Sequence, residues 1–149
     1  MPWDVTPGVP AYAAAAAIIG VELTVPELAQ TVILTRAQAR STAMPDGEKL
    51  ENLAATGATL VLHLAITQIA SIAHRLIPFY GGDCPVAVVH RATQHDELVL
   101  QGTLADIADA VENAGLRQAA VIMVGPALGR GGTSGGQTES HLYSPLRAR

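Results

Sequence analysis

ATLVLHLA, residues 58–65, runs from Gly57 to an isoleucine-rich stretch without a charged residue. Its length and near-continuous apolar character fit a β-strand buried on both faces. Directly after it the period changes, and Ile66, Ile69, Ile72, Ala73 and Leu76 fall on one side of a helix. A buried strand followed by a covering helix is the unit of an α/β fold. The same kind of strand recurs in PVAVVHRAT, from Pro85, and in AAVIMVG, Ala119–Gly125. TVILT, Thr31–Thr35, is β-branched and adds another strand, and Leu98–Leu100 behind Glu97 makes a short alternating one. The short gap between Val86–Val89 and Leu98–Leu100 leaves no room for a crossover, so these two pair antiparallel and the sheet is mixed.

Turns and helices fill the intervals. Pro7 and Pro10 pre-set φ around Gly8, after which Ala11–Ile19 has high helix propensity and stops at Gly20. Pro26 is placed to start a short helix after Thr24, with Glu27 in its first turn, and Asp46 to cap a helix that carries Leu50 and Leu53 and ends at Gly57. Pro78, Gly81, Gly82 and Asp83 predict a loop. Gly102-Thr103 opens a helix with Leu104, Ile107, Ala108 and Val111 on one face. The polar stretch from Arg36 to Gly47 reads as an exposed loop, and GRGGTSGG, residues 129–136, as the start of a mobile tail. The expected organisation is one domain over residues 1–129 and a Gly-rich tail over 130–149.

Composition limits the function classes. Of 149 residues, 49% are hydrophobic and only 15% charged, against about a quarter in an average soluble domain. So little charge predicts that part of the surface is covered by a partner domain or subunit. A net charge of −4 and 3% aromatic residues supply neither a basic footprint nor stacking platforms, which points away from nucleic acid. The longest apolar run, Ala11–Val21, is too short to span a bilayer and has no basic region ahead of it. A membrane partner is not expected. Cys84 is the only cysteine, which excludes an internal disulfide and fits a reducing, cytoplasmic setting.

The general catalytic motifs are missing. There is no phosphate-binding Gly-rich loop between strand and helix, no nucleophile elbow and no His-Glu-x-x-His. His63, His90 and His95 lack metal-site spacing, so no protein-bound metal is expected. Asp96-Glu97 reads as a solvated hairpin tip before it reads as an acid/base pair. Cys84, ahead of a proline and without a basic neighbour, reads as a small residue at the edge of the core.

Several phrases occur in a recognisable order: PGVPAYAAAAA, VELTVPELAQTVILTR, TLVLHLA, PVAVVHRATQHDELVLQGTL, AAVIMVG and HLYSPLRAR. In this the chain resembles the tetrapyrrole (corrin/porphyrin) methylases over nearly its whole length. Within them, ELTVPELAQTVILTR and HLYS are most like the members that methylate C11 of precorrin-4, or its cobalt-bearing counterpart, in the cobalamin pathway. The resemblance implies the fold of the family's C-terminal domain, a three-layer mixed sheet with helices on both faces. It also implies S-adenosyl-L-methionine as methyl donor, a small-molecule tetrapyrrole as substrate, and a homodimer. Only the second of the family's two domains is matched, so an N-terminal half carrying a Gly-x-Gly-Pro-Gly-Asp segment is expected elsewhere.

The resemblance also assigns residues. Pro10 and Ala11 match positions whose backbone touches the cofactor, although relatives often carry Ser or Thr in place of Pro10. Leu64 matches a position where relatives often have a methionine packing against adenosine, and core packing is the competing reading. Ala92 matches a small residue, often Gly, that leaves room for the ligand, and Ala119 a cofactor-lining position. Thr93 is either a polar neighbour of the ligand or a turn residue. His63 and Arg91, beside Leu64 and Ala92, are candidates to meet a substrate carboxylate. No catalytic acid or base is assigned, since methyl transfer from a sulfonium mainly requires donor and acceptor to be aligned. Three readings stay open: half of a precorrin-4-type methylase, a sibling acting on another tetrapyrrole, or a non-catalytic dimerisation or binding module.

Overall fold

The computed structural model describes residues 4–37 and 43–130. Strands β1 (Val32–Arg36), β2 (Thr59–His63), β3 (Pro85–His90), β4 (Leu98–Thr103) and β5 (Ala120–Val124) form one sheet in the order β1-β2-β5-β3-β4. β1 and β2 are parallel, and the other neighbouring pairs are antiparallel. The expected mixed sheet is present, with the expected β3–β4 pair. β5, the last of the described strands, lies at its centre.

The period of two along each strand divides the core. Leu60, Leu62, Val86, Val88, Ile122 and Val124 pack with α2 (Leu50–Ala54), α3 (Ile69–Tyr80) and α4 (Ile107–Asn113). On the other face Val61, Ala87, Val89, Val121 and Met123 pack with α1 (Ala11–Ile19) and with Leu128. This is the expected three-layer arrangement. Each large side chain wholly withdrawn from water here, such as Leu60, Leu62 or Ile122, contributes about 2 kcal/mol. The alanines of α1 let that helix lie close to the sheet, with Ala15 fully buried. α1 closes where the amides of Gly20 and Val21 bond back to the carbonyls of Ala17 and Ala16.

Four local expectations give way to other geometry. Pro26 starts no helix: Val25 and Ala29 exchange main-chain bonds of 2.7 and 3.0 Å around Glu27, whose φ of 68° is incompatible with a helix. Asp46 caps nothing; it opens a 3₁₀ turn (Asp46–Glu48) and pairs with Lys49 at 2.8 Å, while α2 begins at Leu50. Pro78 does not end α3, which runs to Tyr80. The Tyr80 hydroxyl donates to the Ala58 carbonyl at 2.6 Å and ties the last turn to the sheet. β4 takes up Gly102 and Thr103, so α4 starts only at Ile107, after a turn in which the Asp106 carboxylate accepts the Thr103 amide. From residue 131 the Gly-rich segment lies outside the described residues, as do residues 38–42 of the expected loop.

α2 and α3 are joined by one ion pair. Arg75 donates through Nε and Nη2 to the two carboxylate oxygens of Glu51, at 2.6 and 2.9 Å. This hydrogen-bonded guanidinium holds the Glu51 carboxyl down from 4.5 to about 2. Because the folded value lies below the unfolded one, the contribution is complete above about pH 5 and is lost as pH falls towards 2. Both side chains are partly open to water, which limits the pair to about 0.5 kcal/mol. Thermal melts of Glu51→Gln are therefore expected to show a small deficit at neutral pH that vanishes as the wild type is acidified. A deficit that persists at pH 2 would show that the pair is not its source.

Candidate functional site

One end of the sheet is built from conformations that ordinary residues avoid. Leu64 leaves β2 at φ 55°, Arg91 leaves β3 at φ 46°, and Ala119 enters β5 at φ 54°. They are neighbours, because His63 is the partner of Val121 and His90 of Ala120, and the Arg91 amide donates to the Ala119 carbonyl at 2.9 Å. β5 separates β2 from β3, so Leu64 and Arg91 sit about 10 Å apart, two strand spacings. A non-glycine residue held in this region costs about 1–3 kcal/mol, a cost that persists where the surroundings enforce it and that clusters at ligand sites.

The side chains at this end are small or apolar. Leu64 is 75% exposed, which excludes the core-packing reading of that residue. Ala92 is half-buried and packs against the cluster on the α1 face, to which Tyr12 and Val99 also belong. Ala119 is exposed. His63 is half-buried at the end of β2, in register with Arg36 of β1. His90 is held by a 3.1 Å bond between Nδ1 and the Gln118 carbonyl. Leu64, Arg91, Ala92, Ala119 and His63, chosen from separate parts of the sequence, thus come together at one sheet end.

Pro10 and Ala11 belong to a different element. Pro10 precedes α1 in extended conformation (φ −68°, ψ 150°), and no side chain caps that helix. The Ala11 and Tyr12 amides therefore have no intrahelical partner. α1 lies on the sheet face that carries Ala92, with Tyr12 in the same cluster.

The turn after β3 is more ordered than a solvated tip. Arg91 Nε reaches the Asp96 carboxylate at 2.8 Å and the Gln94 side-chain oxygen at 3.0 Å. Glu97 accepts the Thr93 amide at 2.6 Å, with Thr93 itself at φ 67°. Thr93 is therefore a turn residue, and Asp96 and Glu97 brace the turn. This network is what reading by residue type missed; the Thr93-to-Glu97 spacing was its only trace.

Other candidates lie away from this end. Cys84 precedes β3 at the opposite end, buried, and burial pushes its thiol up to about 11, as befits a core-edge residue rather than a nucleophile. An open hollow of about 520 Å³ beside the starts of β1 and β2 is lined by residues including Glu27, Gln30, Thr31, Thr56 and Ala58. None of the candidate site residues borders it. Among the described residues no three His, Cys, Asp or Glu side chains are grouped to hold a metal ion, and no helix is long and apolar enough to cross a membrane. Chemically, the sheet end offers an exposed leucine, a small alanine and the His63 and Arg91 side chains, with the Arg91 amide and carbonyl and the Ala119 carbonyl engaged in main-chain bonds.

A precorrin-4 C(11)-methyltransferase from Rhodococcus erythropolis is 51% identical over 147 residues, covering 99% of this chain and 57% of the relative. The crystal structure of a cobalt precorrin-4 methyltransferase of cobalamin biosynthesis superposes with a TM-score of 0.80 at 41% identity, over 84% of this chain and 52% of that one. In fold alone, a uroporphyrin-III C-methyltransferase from Thermus thermophilus, solved with S-adenosyl-homocysteine, is similar at TM-score 0.65 and 24% identity, over 84% of this chain and 53% of that one. The chain thus spans little more than half the length of the proteins it matches. The family model of the tetrapyrrole (corrin/porphyrin) methylases matches residues 1–108, most of the chain and all of the elements from α1 to β4, and the chain belongs to that family.

Proposed function

We propose that this chain forms one wall of the active-site crevice of an S-adenosyl-methionine-dependent methyltransferase acting on C11 of precorrin-4 or its cobalt-bearing form. The observation that carries the reading is the convergence of Leu64, Arg91 and Ala119, each in the left-handed region, at one sheet end beside Ala92. The activities of the relative and of the solved structure supply the substrate class. The residues fit such a ligand: exposed Leu64 offers an apolar surface to an adenosine and the small Ala92 beside it leaves room, while the main-chain bonds among Arg91, Ala119 and Gln94 hold that end of the sheet in place.

When bound, S-adenosyl-methionine supplies an electrophilic methyl group on a sulfonium. The protein's share is to align and to exclude water, which small apolar side chains and fixed backbone dipoles do without a proton relay. In this reading His63 and Arg91 are the side chains that meet substrate carboxylates, Arg91 in exchange for its pair with Asp96. Val5, Val9 and Leu34 are also exposed, and they favour a covering partner. In this reading the cover is the remainder of a two-domain enzyme and a second copy of the chain, working in the cytoplasm.

Calorimetry with S-adenosyl-homocysteine tests cofactor binding. A chimera with the unmatched portion of the Rhodococcus erythropolis relative tests the reaction, read as precorrin-4 gaining one methyl group. Methylation of a different tetrapyrrole instead would identify a sibling enzyme. Absence of binding together with a stable dimer in size-exclusion chromatography would overturn the proposal in favour of a non-catalytic module.

A further inference from the structure

Ala92 stands between two residues in the left-handed region, Arg91 and Thr93, in the turn from β3 to β4. The two are fixed differently. Arg91 is tied into the sheet through its amide on the Ala119 carbonyl. Thr93 is exposed, and its amide is held at 2.6 Å by the Glu97 carboxylate. Two main-chain bonds, from the Gln94 amide to the Arg91 carbonyl and from the Glu97 amide to the Gln94 carbonyl, both 3.0 Å, set Glu97 where it reaches back.

We infer that Glu97 is a positioning residue for cofactor binding, clamping Thr93 so that Ala92 keeps its place in the crevice wall; this rests on the reading of the sheet end given above. A hydrogen bond to a charged carboxylate is short and strong, and it selects a backbone conformation that threonine otherwise populates sparsely. Without the acceptor the turn spreads over extended alternatives. Apparent affinity then falls by the fraction of molecules in which the turn is still formed. Glu97 is exposed, so its removal leaves no buried group unpaired and takes no packing from the core.

The test compares the wild-type chain with Glu97→Ala and Glu97→Gln by calorimetry with S-adenosyl-homocysteine, by thermal melting and by amide hydrogen exchange at Thr93. Glu97→Ala is expected to weaken binding about tenfold and to speed Thr93 exchange by a similar factor, with the melting midpoint lowered by only a few degrees. Glu97→Gln keeps an acceptor and is expected to restore both. The inference is overturned if Glu97→Ala binds as the wild type does, if Thr93 exchange does not change, or if Glu97→Gln is as impaired as Glu97→Ala. A wild-type chain that binds nothing refutes the underlying cofactor reading instead, before any substitution is made. The exchange measurement keeps the two apart because it needs no ligand.

Discussion

Gly125→Ala is expected to destabilise the protein by about 3 kcal/mol and to lower its melting midpoint by about 10 °C. Gly125 follows β5 at φ 154°, a region that residues with a side chain rarely enter. A Cβ there would stand 3.1 Å from the Thr59 Cα and 3.3 Å from its Oγ1. Thr59 cannot yield easily. It is fully buried, its hydroxyl donates to the Leu23 carbonyl at 2.8 Å, and its amide bonds the Thr31 carbonyl at 3.0 Å. Gly57→Ala is the control, because Gly57 also has positive φ but nothing lies within 4 Å of its added Cβ. It should lose only the conformational part, about 1 kcal/mol. Equal losses from the two variants, measured by urea unfolding, would show that the contact with Thr59 carries no weight.

Enlarging Ala92 tests the other end of the sheet. Ala92→Leu is expected to reduce affinity for S-adenosyl-homocysteine by about a hundredfold, equivalent to about 2.7 kcal/mol. The half-buried alanine lies at the sheet end that carries Leu64 and Ala119, and in the proposed crevice three further carbons would take the ligand's room. Stability should change by less than about 1 kcal/mol, since Ala92 lies at the rim of its cluster and the added side chain can turn outward. Affinity within threefold of the wild type, measured by calorimetry, would remove Ala92 from the wall of the crevice.

The buried strands were legible because burial on both faces leaves a plain mark. The centres of TLVLH, VAVV and AVIM are apolar throughout, and the observed strands fall inside the expected ones, with β2 ending two residues and β3 three residues earlier than expected because Leu64 and Arg91 turn out of the sheet. Local punctuation misled where tertiary contacts decide. Pro78 looks like a helix stop, but the Tyr80 anchor on Ala58 carries α3 past it. The site was legible only in part. Small residues at strand ends could be picked out by resemblance, but the left-handed conformations of Leu64, Arg91 and Ala119 could not be, because no glycine marks them. Nor does spacing along the chain say that β5 would bring Leu64 and Arg91 within two strands of each other.

The central place of β5 has a consequence for biogenesis. Ribosomes deliver the chain from its N-terminus, so the strand that joins the two halves of the sheet emerges after every other described strand. Until residues 120–124 are released, the inner sides of β2 and β3 are unpaired edges of the kind that recruit foreign strands. A nascent chain stalled before Ala120 thus holds two sticky fragments rather than a joined sheet, and its best protection is a chaperone that waits for β5.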